Sequence, residues 1–263
     1  MEVIIRPDAE AAARLVAHLL ARALRRKPDL VLGLATGRTM ERVYDLLAEF
    51  HQRDGLDFSQ CTTFNLDEYV GLPPDHPGSY HFYMRRHLFD RVNINPARTH
   101  LPNGMAADPD EEGKRYEALI QAAGGIDLQL LGLGRSGHIG FNEPLSALRS
   151  RTRVKCLTET TIRENRTQFP NPDEMPRRAI TMGVGTILEC RRLIMLVTGA
   201  AKAEVLARAV EGPITAMISA SAIQLHPACT VIVDEAAAAN LQGKDYYRWI
   251  FATEPEWRDF QNL

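Results

Sequence analysis

The fold of this chain is decided by the stretch Leu128-Gln129-Leu130-Leu131-Gly132-Leu133-Gly134-Arg135-Ser136-Gly137-His138-Ile139-Gly140-Phe141-Asn142-Glu143-Pro144, near the middle of its 263 residues. The apolar run at its start predicts a buried strand of a parallel sheet. The glycines that follow let the backbone turn sharply where that strand ends. Ligands bind at the carboxyl edge of open α/β sheets, so the histidine and the glutamate of this stretch are candidates for acid/base chemistry.

The same stretch also matches a dinucleotide-binding pattern. Residues 132–137 fit G-x-G-x-x-G, and Glu159 lies about where a ribose-binding acid would stand. That pattern requires a helix directly after the glycines, and Pro144 comes too early for a full crossover helix. The strand also lies in mid-chain and not at the start of a βαβ unit. The sequence therefore disfavours dinucleotide binding.

Length and composition limit the classes of protein to consider. The chain is long enough for one large α/β domain, and its 45% hydrophobic and 24% charged residues are ordinary for a soluble globular protein. A formal net charge of -2 gives no electrostatic argument for a nucleic acid or membrane partner. No apolar run is long enough to span a bilayer, and the first residues predict a strand and not a signal peptide.

The cysteines indicate the compartment. All four are far apart, and none has C-x-x-C spacing. This pattern predicts buried free thiols in a reducing cytosol, and hence a cytoplasmic protein.

Predicted strands alternate with predicted helices along most of the chain. The strands are expected at 30–34, 62–66, 128–131, 152–157, 193–199 and 230–233, and the helices at 8–27, 40–51, 76–89, 108–123, 203–210 and 219–225. Residues 179–188 are expected to form a strand that turns into a short helix. This alternation predicts an α/β fold, a single domain with a largely parallel sheet and helices on both faces. We assign residues 1–244 to this domain and residues 245–263 to an aromatic C-terminal tail of unknown role. The polar stretch 159–176 is read as a mobile lid or a surface helix.

Polar clusters follow several of the predicted strands. Thr36–Thr39 lies between a strand and a helix, where backbone N–H groups and hydroxyls can bind an anion; the alternative is a plain turn with Thr39 as N-cap. Asp67 and Glu68 follow the next strand and suit either a general base or a turn. Lys202 follows a late strand at the start of a helix.

Together with His138 and Glu143, these clusters resemble the glucosamine-6-phosphate deaminase (isomerase) family. The most specific motifs are Asn-Leu-Asp-Glu-Tyr-Val-Gly-Leu at 65–72 and Gly-His-Ile-Gly-Phe-Asn-Glu-Pro at 137–144. Other matching segments are 32–37, 150–153, 179–188 and 209–212. The resemblance covers most of the chain up to about Val233 and implies a Rossmann-like fold. It also implies conversion of glucosamine 6-phosphate to fructose 6-phosphate and ammonia, with no metal and no cofactor.

The resemblance implies roles for individual residues. Ring opening takes a proton off the C1 hydroxyl and gives one to the ring oxygen, which suits His138 near neutral pH. Glu143 resembles the carboxylate that orients this histidine, as in a triad. Asp67 resembles the base that moves a proton between C2 and C1 so that the amine can leave. The phosphate clamp is implied at Thr36, Gly37, Thr39 and Lys202.

Some positions depart from the family pattern. Arg38 stands where a small residue is usual, and Met40 stands where a proline is usual. A family arginine is expected near Thr167, and Arg166 is the nearest candidate, so Arg38 and Arg166 are both candidate phosphate ligands. Ser136 replaces an aspartate that many members carry beside the histidine, and it is counted with the candidate catalytic residues.

An allosteric site found in some members has a partial match here. Ser146, Arg153 and Lys155 correspond to it, but Ala147 stands in place of a serine. Regulation by N-acetylglucosamine 6-phosphate is therefore left open by the sequence.

Three functions compete. The first is the amino-sugar-phosphate deaminase, with a small-molecule substrate. The second is another enzyme on the same scaffold, a galactosamine-6-phosphate deaminase or a 6-phosphogluconolactonase, and the lactonase lacks the motifs at 67–69 and 142–144. The third is a non-catalytic sugar-phosphate sensor, which would need a DNA-binding module for which the sequence leaves no room. Homo-oligomerisation and the preference between sugar epimers stay open, because fold alone does not decide them.

Overall fold

The apolar runs of the sequence pair into one large parallel sheet, in a computed structural model that describes residues 1–169 and 171–261. Its seven strands lie in the order β1-β10-β9-β6-β2-β3-β5, and the neighbouring strands pair in parallel. The strands are β1 (Glu2–Arg6), β2 (Val31–Leu34), β3 (Thr62–Asn65), β5 (Thr99–His100), β6 (Leu128–Leu131), β9 (Leu193–Val197) and β10 (Cys229–Asp234). The central strand β9 is apolar throughout, because both faces of a parallel sheet are covered.

Eight α-helices flank the sheets within the described residues. They are α1 (Ala9–Arg26), α2 (Arg38–Asp54), α3 (Tyr80–His87), α4 (Pro109–Ala122), α5 (Glu159–Asn165), α6 (Val184–Leu188), α7 (Ala203–Val210) and α8 (Lys244–Thr253). The predicted α/β fold class, with a largely parallel sheet and flanking helices in one domain, is confirmed. Local signals explain the helix starts: the Asp8 side chain caps α1, and Asp108 caps α4 directly before a proline.

The start of α2 differs from the prediction. The helix begins at Arg38 and not near Met40, and its N-cap is Gly37 and not Thr39. Gly37 has φ 113° and ψ 163°, a conformation that side-chain-bearing residues rarely adopt. The last residue before the helix therefore has to be glycine, and the first turn of α2 has no side-chain cap.

A small second sheet lies beside the large one. It consists of β4 (Asp67–Tyr69), β8 (Arg178–Thr181) and β7 (Arg153–Cys156), with β8 in the centre and antiparallel to both neighbours. The two acids after β3 therefore belong to a buried strand and not to a surface turn. The polar stretch 159–176 forms α5 followed by two short 3-10 turns, with Pro170 outside the described residues.

The C-terminal segment packs against the rest of the protein. Helix α8 contacts β1, and the following 3-10 helix, Pro255–Phe260, places Trp257 in the main hydrophobic core. Trp257 is fully buried. Residues 262 and 263 of the predicted tail lie outside the described residues.

The cysteines and the hydropathy of the helices can be compared with the predictions from the sequence. All four cysteines are free, and Cys61, Cys190 and Cys229 are buried as predicted. The prediction of burial is wrong for Cys156, which is exposed because it ends β7, an edge strand of the small sheet. In the part of the chain that the structure describes, no helix is long and apolar enough to cross a bilayer.

Candidate active site

A cavity of about 530 Å³ opens at the carboxyl ends of the central strands β2, β3, β6 and β9. It brings together candidate residues that are far apart in the sequence, because the carboxyl ends of parallel strands meet at one edge of the sheet. The predicted site residues that line it are Thr36, Gly37, Arg38, Thr39, Asp67, His138 and Lys202.

The loop after β2 forms the anion-binding side of the cavity. Residues 36–39 line it, and they lead directly into the uncapped first turn of α2. Backbone N–H groups at such a helix start have no partners within the helix and attract anions, helped by the helix dipole. Lys202 reaches the same cavity from the loop after β9, and burial lowers the pKa of its amine.

His138 lies in the loop after β6 and is held from behind by two oxygens. Its Nδ1 is 2.7 Å from Ser136 Oγ and 3.2 Å from Glu143 Oε2. The Ser136 hydroxyl donates to Glu143 Oε2 at 3.1 Å, so its oxygen is left to accept from Nδ1. Nδ1 therefore carries the proton, and Nε2 is the ring nitrogen free to act as a base in the cavity.

Glu143 is buried and remains ionised. Its other oxygen, Oε1, accepts hydrogen bonds from the backbone N–H and the hydroxyl of Thr158. Burial acts to raise the pKa of this carboxyl, but the hydrogen bond and charge of His138, together with the threonine donors, lower it to about 2. The arrangement favours a positive charge on His138 when the imidazole takes a proton.

The serine of this cluster is not placed as a nucleophile. In a Ser-His-Glu hydrolase the serine and the acid contact opposite ring nitrogens. Here Ser136 and Glu143 both contact Nδ1, and Ser136 does not line the cavity within the described residues. The cluster therefore supplies one supported base at Nε2.

Glycine is required next to this imidazole. A Cβ atom at Gly134 would collide with the ring of His138, and the Gly134 N–H donates to the His138 carbonyl at 2.9 Å. The close approach of backbone to ring fixes the orientation of the imidazole.

Asp67 is the second titratable group of the cavity. It is 5% exposed, and burial, reinforced by the charge of Glu68, raises the pKa of its carboxyl to about 8. Its Oδ2 lies close to Gly140, where an added Cβ would be 3.3 Å from the oxygen. A carboxyl that titrates near the working pH can accept and return a proton.

Glu68, in contrast, has a structural role. Its Oε1 accepts from the N–H groups of Tyr69 and Tyr80, and its Oε2 accepts from the N–H and Nδ1 of His81. The fully buried carboxylate thus ties β4 to the first turn of α3, and α3 places Tyr80 against the cavity. Of the paired acids predicted from sequence, only Asp67 lines the cavity within the described chain.

Helix α5 and the turn after it cover one side of the cavity. They contribute Arg163, Glu164, Asn165 and Thr167 to its lining, and the loop after β6 contributes Arg135. Sequence reasoning did not identify these residues; the signal was a polar segment with no obvious core-facing side. The predicted candidate Arg166 is exposed and is not among the lining residues in the described chain, whereas Arg38 Nη2 donates to Thr167 Oγ1 at 3.3 Å.

The candidate allosteric residues lie behind the site. Ser146 is buried and donates to the Glu143 carbonyl at 2.7 Å, and Arg153 donates to Asn142 Oδ1 at 2.9 Å. Burial lowers the pKa of Arg153. Lys155 lies on β7, two residues further on. Within the described residues none of the three lines the cavity, but two of them contact the turn that carries Glu143.

Comparison with known proteins agrees with this geometry. Residues 8–233 match the family described as glucosamine-6-phosphate isomerases/6-phosphogluconolactonase. A glucosamine-6-phosphate deaminase of Hahella chejuensis is 53% identical over 250 residues, 95% of each chain. One from Rhodopirellula baltica is 55% identical over 241 residues, 92% of this chain and 96% of its own.

Solved structures of the same family have a similar fold. A monomeric glucosamine-6-phosphate deaminase matches with a TM-score of 0.89 and 44% identity, over 91% of this chain and 100% of its own. A 6-phosphogluconolactonase of Trypanosoma brucei matches with a TM-score of 0.71 at 20% identity, over 91% of this chain and 98% of its own, and so shares the fold. The fold and site define an enzyme of the sugar-phosphate isomerase and lactonase class. The chain belongs to the glucosamine-6-phosphate isomerase/6-phosphogluconolactonase family, and its full-length similarity is to the deaminases of that family.

Proposed function

We propose that this enzyme converts glucosamine 6-phosphate and water to fructose 6-phosphate and ammonia, a step of amino-sugar catabolism. One observation carries the proposal: Asp67 and His138 line the same cavity as the α2 anion site and Lys202. A sugar phosphate held at that anion site would present its ring to two titratable groups. The names of the relatives support the same substrate.

The first chemical step is opening of the pyranose ring. Nε2 of His138 takes the proton of the C1 hydroxyl, the bond from C1 to the ring oxygen breaks, and the ring oxygen receives a proton. Because Glu143 is ionised and contacts Nδ1, it stabilises the imidazolium that carries the proton between the two oxygens.

The second step is isomerisation. The ionised carboxyl of Asp67 takes the C2 proton of the open-chain aldose while the substrate ammonium gives a proton to the C1 carbonyl oxygen, which forms an enolamine. Asp67 then returns its proton to C1, which leaves an imine at C2. Water adds to that imine and ammonia leaves, giving the ketose. The step requires ionised Asp67, so kcat/KM is expected to rise with pH through about 8.

An ammonia-release assay tests the proposed reaction. Purified protein without added metal or nucleotide is expected to release ammonia from glucosamine 6-phosphate and to form equimolar fructose 6-phosphate. Galactosamine 6-phosphate and 6-phosphogluconolactone are assayed in parallel. A higher kcat/KM on either of these, or activity that EDTA abolishes and a metal restores, would contradict the proposal.

Ser136 is expected to contribute a hydrogen bond and no charge. Ser136→Ala should therefore reduce kcat/KM only by the equivalent of about 0.5–1.5 kcal/mol, one neutral hydrogen bond. Ser136→Asp adds a negative neighbour to His138 and should raise the corresponding pKa in the pH profile of kcat/KM. A wild type inactive on both amino sugars but activated by Ser136→Asp would instead indicate a sugar-phosphate binder.

Lys202 and Arg38 are expected to bind the substrate phosphate. Lys202→Ala removes a charge-assisted contact, which should raise KM by the equivalent of about 1.5–3 kcal/mol. Arg38→Gly should also raise KM, because Arg38 lines the cavity at the anion-binding loop. Arg166→Ala is the matched control, since Arg166 is exposed. An increase in KM for Arg166→Ala without one for Arg38→Gly would reverse this assignment.

We propose further that the enzyme is cytoplasmic, as its four free cysteines favour. Its assembly state follows from light scattering on a size-exclusion column, where a homo-oligomer would distinguish it from the solved monomeric relative.

A further inference from the structure

An ion pair joins two residues that line the cavity. Nε of Arg135, in the loop after β6, lies 2.5 Å from Oε1 of Glu164 on α5, and both residues line the cavity. The Arg135 side chain is 56% exposed and that of Glu164 is 25% exposed. The pair is thus open to a ligand that enters from solvent.

Arg135 stands between the two groups already assigned to the phosphate. Strand β6 lies between β9, which precedes Lys202, and β2, which precedes the loop 36–39. The charges of Arg135 and Glu164 both act on Lys202: after burial, the main cause of its lowered pKa, Glu164 raises that pKa and Arg135 lowers it. Arg135, Glu164 and Lys202 therefore form one electrostatic cluster.

Glu164 is an acidic residue in a cavity lining whose charged residues are mostly basic. Besides His138, the cavity lining contains four basic residues, Arg38, Arg135, Arg163 and Lys202, and two acids within the described chain, Asp67 and Glu164. Asp67 is mostly neutral at pH 7 because its pKa is about 8. Glu164 is then the negative group in a basic cavity, and it contacts a guanidinium as a phosphate oxygen would.

We propose, resting on the proposed function, that Arg135 binds the phosphoryl group of the substrate and that Glu164 occupies Arg135 until the substrate arrives. The planar guanidinium group matches the geometry of both carboxylate and phosphate oxygens, so a phosphate can take the place of Glu164 on Arg135. The phosphate dianion replaces a single carboxylate charge, and Glu164 loses its contact with Arg135. Because Glu164 competes with phosphate for Arg135, it lowers the affinity for phosphate.

The test measures inorganic phosphate binding by isothermal titration calorimetry at constant ionic strength. Glu164→Gln should lower the Kd for phosphate about two- to five-fold, the effect of losing a partly exposed competing ion pair. Arg135→Gln should raise that Kd, and Arg135→Gln in the Glu164→Gln background should abolish the gain. Glu159→Gln, an exposed glutamate on the same helix, is the matched control and should leave the Kd unchanged.

A purely structural ion pair would give the opposite result. If Glu164 only holds α5 in place, Glu164→Gln should leave the Kd unchanged or raise it, and either outcome overturns the proposal. An unchanged Kd for Arg135→Gln also overturns it. Arg135→Lys, which keeps the charge, should retain most of the binding and shows that a loss in Arg135→Gln is not misfolding. Because phosphate binding needs no turnover, these outcomes are independent of whether the protein deaminates glucosamine 6-phosphate.

Discussion

Asp67→Asn should lose roughly 10²–10⁴-fold in kcat with little change in KM, the usual effect of removing a positioned acid/base group. The amide keeps the shape of the side chain but can neither take the C2 proton nor return one to C1. Steady-state ammonia release checks the loss. The rising limb of kcat/KM through about pH 8 in the wild type should be absent from the residual activity.

The same substitution should not destabilise the fold. The carboxyl has a pKa of about 8 in the folded protein, raised mainly by burial from its ordinary value of 3.8. Between these values the unfolded chain releases this proton and the native chain keeps it, so the stability due to this group falls as pH rises from about 4 to 8. Asp67→Asn lacks this titration and should gain stability relative to the wild type over that window. Thermal melting at pH 5 and pH 8 measures it; a lower Tm at both, with normal kcat, would make Asp67 a structural residue.

Glu143→Gln should reduce kcat by up to about 10⁴-fold, because a neutral amide cannot stabilise the imidazolium formed at His138. The wild-type carboxylate has a pKa of about 2, lowered by His138 and the threonine donors against the effect of burial. Its stabilising contribution is therefore present above about pH 4.5 and is lost as pH falls towards 2. At neutral pH the wild-type Glu143 is therefore ionised, and the lower activity of Glu143→Gln is expected to come from the missing charge.

An isotope effect separates this variant from Asp67→Asn. Glu143→Gln slows ring opening, so the rate difference between substrate with hydrogen and with deuterium at C2 should become smaller. Asp67→Asn slows removal of that hydrogen, so the difference should persist or grow. Glu143→Gln with an undiminished isotope effect and a normal kcat would contradict the role given to this carboxylate.

The sequence was sufficient to predict those strands whose own residues form an apolar run. Strands β2 and β9 are continuous apolar runs, and β6 has one polar residue, Gln129; such runs predict buried parallel strands without further information. Strand β4 was missed because it carries two acids, and the buried Glu68 accepts hydrogen bonds from the N–H groups of Tyr80 and His81, which are distant from β4 in the sequence. Strand β5 has only two residues, too few for a periodic pattern.

Some residues of the candidate site could be predicted from the sequence, and others could not. Asp67, His138 and Lys202 were found because each follows a strand, and the carboxyl ends of parallel strands share an edge. Arg135 and Glu164 were not predicted as site residues, because they are far apart in the sequence and form an ion pair only when α5 packs beside the loop after β6. The start of α2 was misplaced because the deciding feature is the backbone conformation of Gly37.

The pairing of β1 with β10 has a consequence for biosynthesis. Residues Glu2 and Thr230 are register partners, so β1 hydrogen-bonds to a strand that is synthesised much later than β1 itself. Strand β1 therefore stays without its β10 partner, with apolar side chains exposed, until β10 has been synthesised. Closing so long a loop also slows folding. Trp257 enters the core later still. A nascent chain stalled before β10 should accordingly be a chaperone substrate and sensitive to protease.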